Sequence, residues 1–114
     1  MIAVIFEFTA AEGRAKDYKA LAEGLADDVS KSDGFISIER FQSISNSDKF
    51  VSLSFWRDEE AVRTWRNLQQ HREAQAQGRG GIFSAYRLRV CTVIRDYTSS
   101  ERGGAPKDSV AVHG

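Results

Sequence analysis

Residues 65–75, WRNLQQHREAQ, bring together side chains able to do chemistry at helical spacing. His71 is the one imidazole outside the last stretch of the chain. Its neutral form accepts a proton near pH 7, which suits a general base; the alternative is a solvated histidine on a helix surface. Its i±4 neighbours, Asn67 and Gln75, are not metal ligands of any strength, so no metal site is predicted. Arg72 and Gln75 continue the line Ala61, Trp65, Leu68 along one side of a helix. An arginine there stabilises an enolate or phenolate, with Gln75 adding hydrogen bonds. Equally, Arg72 snorkels at the domain edge or pairs with Glu73 or Asp96. Trp65 has two readings: core packing, or an indole N–H donated to a substrate oxygen. Tyr86 either lends a phenol to a binding site or caps a sheet edge. No Ser-His-Asp or Cys-His arrangement is visible, and GRGG at 78–81 lacks the strand-then-helix context of a phosphate cradle.

The elements that must position these groups follow from periodicity. IAVIFEF (2–8) is β-branched or aromatic at nearly every position and reads as a strand covered on both faces. Over 15–31, Tyr18, Leu21, Ala22, Leu25 and Val29 form one helical stripe, and Gly34 stops that helix. FISIERFQSI (35–44) and KFVSLSFW (49–56) flank SNSD and predict a hairpin. Asp58 is a good N-cap, with Glu59 and Glu60 suited to the positive end of a helix running to about residue 77. YRLRVCTVIRDY (86–97) is the final strand. The order strand, helix, strand, strand, helix, strand gives an α+β, ferredoxin-like βαββαβ antiparallel sheet with two helices on one face.

The first strand is apolar on both sides, and the third has Phe50 and Trp56 opposite its Val51, Leu53 and Phe55 side, so the helix-free face looks too apolar for water. The expectation is a homodimer packed sheet to sheet, with Phe50 and Trp56 at the contact. Arg87, Arg89 and Arg95 alternate on the last strand and either face a carboxylated substrate or, the simpler account given balanced charge, pair between subunits, while Cys91 packs there and stays inert. Residues 98–114, TSSERGGAPKDSVAVHG, lose periodicity and read as a mobile tail beyond a domain at 1–97.

Bulk composition narrows the function classes. Sixteen basic residues against sixteen acidic leave no net charge, so no nucleic-acid footprint exists. At 114 residues, 41% hydrophobic and 28% charged, the chain can bury a core without disulfides or metal. A single cysteine suggests a reducing compartment. MIAVIFEF lacks a basic n-region and is too short to span a bilayer, so no membrane partner and a cytoplasmic location are expected.

FWRDEEAVRTWRNLQQHREAQAQGR, with YRLRVCTVIRDY after it and EGRAKDYKAL before, resembles the antibiotic-biosynthesis monooxygenase domain family over residues 1–97. The resemblance implies a dimeric α+β barrel with one cavity per subunit between sheet and helices. It also implies oxygenation of a quinol- or anthrone-like aromatic molecule by dioxygen, with no metal or flavin cofactor. His71 and Trp65 are then the catalytic candidates, and Arg72, Gln75 and Tyr86 the substrate-binding ones. The rival expectation is a non-enzymatic dimeric barrel that binds an apolar small molecule. The haem-degrading branch of the family fits less well, since Phe6 falls where it has an asparagine and Gln75 where it has the histidine ligand; only Trp65 matches.

Overall fold

The computed structural model describes residues 1–77 and 83–113, and for residues 70–77, 83 and 113 only the course of the backbone. Its elements are β1 (Ile2–Ala10), α1 (Ala15–Ser30), β2 (Phe35–Gln42), β3 (Lys49–Trp56), α2 (Glu59–Gln77), β4 (Phe83–Thr92) and α3 (Lys107–His113). The four strands form one antiparallel sheet in the order β2-β3-β1-β4. This is the ferredoxin-like α+β arrangement that the periodicity predicts. β4 ends at Thr92 rather than near residue 97 because its partner runs out. β1 begins at Ile2, and the last backbone link is Val93 N–H to the Met1 carbonyl at 3.0 Å.

Helices α1 and α2 cover one face of the sheet, and two buried clusters form beneath them. At one end Trp56 of β3 packs with Ile2, Leu25, Val29, Ala61, Val62 and Trp65. At the other, Phe8 and Phe50 stack at 5.5 Å between centroids and meet Tyr18 of α1 at 4.3 and 5.4 Å. Phe50 and Trp56 therefore point at the helices, which overturns their expected place on the helix-free face. Both sides of β3 are apolar, so alternation alone does not say which side is inward. The deciding factor is volume: Trp56 is fully buried and fills the space beneath α2, whereas Val51, Leu53 and Phe55 are half-buried on the other face.

A register shift in β2 changes which of its residues face the helices. Phe35 pairs with Trp56 and Ser37 with Phe55, so Ile36 is an extra residue in a bulge. Phe35 thereby shares a side with Ile38, Arg40 and Gln42, and its ring meets Trp56 edge-on at 5.4 Å.

The start of α2 is pinned on three sides. The Asp58 carboxylate accepts from the Ala61 N–H at 2.9 Å, the N-cap that the sequence predicts. Arg57 places its two terminal nitrogens on Asp33 at 3.0 and 3.2 Å, and its Nε on Asp58 at 3.1 Å. Gly34 has φ of +81°, and a Cβ there would lie 2.6 Å from that of Ala61. Only glycine lets the α1–β2 turn approach α2 this closely.

On the helix-free face, Arg89 holds Glu7 at 2.8 Å, a diagonal pair within the chain where the alternation of arginines predicts pairing between subunits. Beyond Thr92, Tyr97 lies beneath the Arg102 guanidinium at 5.3 Å. The short α3 then forms in a stretch whose composition gives no periodic signal.

Candidate functional site

Between the sheet and the two helices, and between the two aromatic clusters, lies a cavity of about 60 Å³. A water centre needs roughly 10–15 Å³ by the same kind of measure, so the space exceeds a packing defect. Its floor is apolar where β1 and β4 contribute Val4, Phe6, Leu88 and Val90. It turns polar where β2 and β3 contribute Arg40, Ser52 and Ser54. Tyr18, Ala22 and Leu25 of α1 close one side, and Val62, Trp65, Arg66 and Gln69 of α2 the other.

The α2 residues lie at i, i+3, i+4 and i+7, one face of the helix. Trp65 is 7% exposed, and its ring stacks on Trp56 at 6.0 Å with 25° between planes. It is thus both a core residue and a cavity wall. The Trp56 indole N–H donates to Ser54 Oγ at 2.9 Å, which fixes that hydroxyl as an acceptor. The Trp65 indole N–H has no acceptor among the described residues.

Tyr86 stands on the exposed helix side of β4, 69% accessible, with its ring 5.8 Å from Phe6. It touches a cavity wall without itself lining the cavity. His71, Arg72 and Gln75 belong to the last two turns of α2, and their side chains lie outside the described residues. Sequence reasoning missed Arg40, Ser52, Arg66 and Gln69. Arg66 and Gln69 follow Trp65 at i+1 and i+4, a signal visible once Val62 rather than Ala61 heads the cavity stripe. Arg40 was missed because strict alternation leaves β2 apolar on both sides, Ile36 and Ile38 on one and Phe35 and Phe41 on the other, so it does not say which side faces the helices.

Among the described residues three carboxylates are perturbed, all outside the cavity. Arg89 hydrogen-bonds Glu7 and holds it below its usual range. Arg57 does the same for Asp33, and the Ala61 N–H followed by Arg57 for Asp58. Among the described residues, no three His, Cys, Asp or Glu side chains are grouped so as to hold a metal ion. No described helix is long and apolar enough to cross a membrane.

Comparison with known proteins agrees with this architecture. The jasmonate monooxygenase of Pyricularia oryzae is 39% identical over 101 residues, covering 89% of this chain and 47% of the relative; the chain thus spans about half that protein's length. Rv0793 of Mycobacterium tuberculosis superposes with a TM-score of 0.72 at 17% identity, covering 85% of this chain and 98% of that one. SnoaB of Streptomyces nogalater, a cofactor-independent oxygenase solved as a point mutant, superposes at 0.69 and 12% identity, covering 83% and 94%. A sequence model of the antibiotic biosynthesis monooxygenase family matches residues 1–77, so the chain belongs to that family.

Proposed function

We propose that this protein is a monooxygenase that binds an apolar, quinol- or anthrone-like small molecule in the cavity and oxidises it with dioxygen, without metal or flavin. The observation that carries this reading is Trp65, which lines a cavity with an apolar floor and whose indole N–H has no acceptor among the described residues, in a chain of this family. Such a donor suits an oxygen on which negative charge develops. Deprotonation of an activated CH₂ or phenol gives an anion able to reduce dioxygen. For an anthrone the balance is CH₂ plus O₂ to C=O plus H₂O. His71 is the proposed base, on the strength of its titration range near neutrality. Arg72, in register with the stripe Val62, Trp65, Arg66 and Gln69, is the proposed anion stabiliser with Gln75, and Tyr86 is a proposed contact at the β4 side.

We propose further that two copies pair through the helix-free face, where Ile5, Leu53 and Phe55 are half-buried apolar side chains in the single chain. A cytoplasmic location fits the single cysteine.

Oxygen consumption tests the activity. Purified protein with a chelator present should consume oxygen on addition of an anthrone or a quinol, and jasmonate belongs in the panel because of the Pyricularia relative. Saturable binding with no oxygen consumed across the panel would replace the enzyme reading with that of a binding protein. A Soret band on adding haem would instead favour haem binding.

A further inference from the structure

The charge inside the cavity is uneven. Arg14, Arg57, Arg63 and Arg89 each hold a carboxylate. Arg40 and Arg66 line the cavity, and neither forms an ion pair among the described residues. Arg40 also borders a second, more open groove of about 430 Å³ between α1 and β2, flanked by Tyr18, Lys19, Glu23 and Phe50. Tyr18 and Ala22 are likewise shared by both spaces, so Arg40 stands on the wall between the groove and the cavity. Glu23 faces the groove but makes no ion pair with Arg40. Directly across the ladder from Arg40 is Ser52, a second cavity-lining donor on the same side of the sheet.

We propose that this cavity receives an apolar carboxylic acid. Its carboxylate sits on the Arg40 guanidinium at the threshold of the outer groove, and its hydrocarbon body enters between Phe6, Leu25 and Trp65. The proposal rests on the reading that the cavity binds a small molecule, and adds the ligand's charge and orientation. A guanidinium presents two parallel N–H donors that match a carboxylate in one plane. Arg40 is half-buried, so its field on a bound anion is less screened than that of a surface arginine. Arg66, on the α2 side, adds a second positive charge to the same space. A neutral carbonyl can accept a hydrogen bond from either group but forms no ion pair with it, so anions are selected over neutral molecules of equal shape.

A matched pair of probes reads this out without turnover. 4-Phenylbutanoate and 4-phenylbutanamide share a shape and differ in charge, and the tryptophan emission of the intact chain reports their binding. The wild-type chain should bind the acid roughly tenfold to a hundredfold more tightly than the amide, the range for charge-assisted hydrogen bonds. Acetate at equal concentration should not compete, because it has no body to bury. Arg40→Gln should bring the acid within about twofold of the amide, chiefly by weakening the acid, and Arg66→Gln should narrow the gap less. Arg40→Lys, which keeps charge and loses the fork, should retain part of the preference and supplies the same test should the glutamine variant not fold. Equal wild-type affinity for acid and amide overturns the anion assignment and leaves the cavity reading intact. An undiminished preference in Arg40→Gln also overturns it. Absence of binding by both probes overturns the cavity reading itself.

Discussion

The indoles of Trp56 and Trp65 lie face to face, one from β3 and one from α2, with centroids 6.0 Å apart and 25° between planes. Trp56 is fully enclosed with its N–H satisfied by Ser54, whereas Trp65 both packs in the core cluster and lines the cavity. Truncating Trp65 to alanine should cost about 3–5 kcal/mol, as large-to-small changes in a core do. Trp65→Phe keeps most of the stack and should cost about 1.5 kcal/mol or less. It removes the N–H, so turnover should drop under conditions where the variant remains folded. Equal turnover in Trp65→Phe and wild type would return this residue to packing alone.

His71→Ala should lower kcat by about 10²–10⁴-fold, the usual contribution of a positioned base. In the wild type, the rate should rise with pH through the imidazole range. Full activity in His71→Ala on a substrate that the protein turns over removes the assignment and leaves water or Tyr86 to carry the proton.

Gly34→Ala tests how α2 is seated. A positive φ costs a non-glycine residue roughly 1–2 kcal/mol, and a Cβ 2.6 Å from that of Ala61 adds overpacking of about 1–3 kcal/mol. The expected destabilisation is about 2–5 kcal/mol by chemical denaturation. Gly24→Ala, with nothing within 4 Å of the added atom, is the control and should not destabilise. Similar midpoints for the two variants would mean that the turn relaxes away from α2.

Acid should loosen the fold in a defined window. Glu7, Asp33 and Asp58 titrate below their ordinary values of 4.5, 3.8 and 3.8 in the folded chain. The folded state therefore binds these protons less readily than the unfolded one. Their contribution is complete above the ordinary values and is lost as pH falls through them towards the lowered ones. Tm should hold steady down to about pH 5 and decline below it. Asp33→Asn should flatten the decline, and added salt should weaken it because the pairs are exposed. A decline that Asp33→Asn leaves unchanged assigns the acid sensitivity to other groups.

Leu53→Asp and Phe50→Asp separate the two faces of β3. The first should leave a folded chain that sediments at the 12.7 kDa monomer mass in place of a dimer. The second places a charge in the Phe8–Tyr18 cluster and should unfold the chain. A wild-type chain that is already monomeric at micromolar concentration would remove the proposed pairing.

What could be read from the amino acids depended on whether one side of an element was polar. Tyr18, Ala22, Leu25 and Val29 stand out against charged neighbours, and all four are buried. Asp58 caps α2 because few residues do that work. β3 gave no such contrast: Val-Leu-Phe on one side and Phe-Trp on the other are both apolar, and only the partner elements select the inward side. In β2 a single extra residue reset the parity, which sent Phe41 to the helix-free face and brought Arg40 to the cavity. No local signal announces a bulge among Ser, Ile and Phe. The cavity itself arises where a stripe starting at Val62 crosses strands distant in sequence, so its polar members could not be grouped from spacing within α2.

Because a separate ring cluster closes each end of the helix–sheet sandwich, the space between them contributes little to holding the layers together. Side chains there, such as Ser52 and Leu88, can be exchanged while Trp56 and Phe8 keep the layers joined. Such a layout lets ligand preference drift across generations at small risk to folding, since few substitutions in the middle bring the chain below its stability threshold. One backbone can then serve many small-molecule chemistries, with novelty confined to the central band and inheritance kept at the two ends.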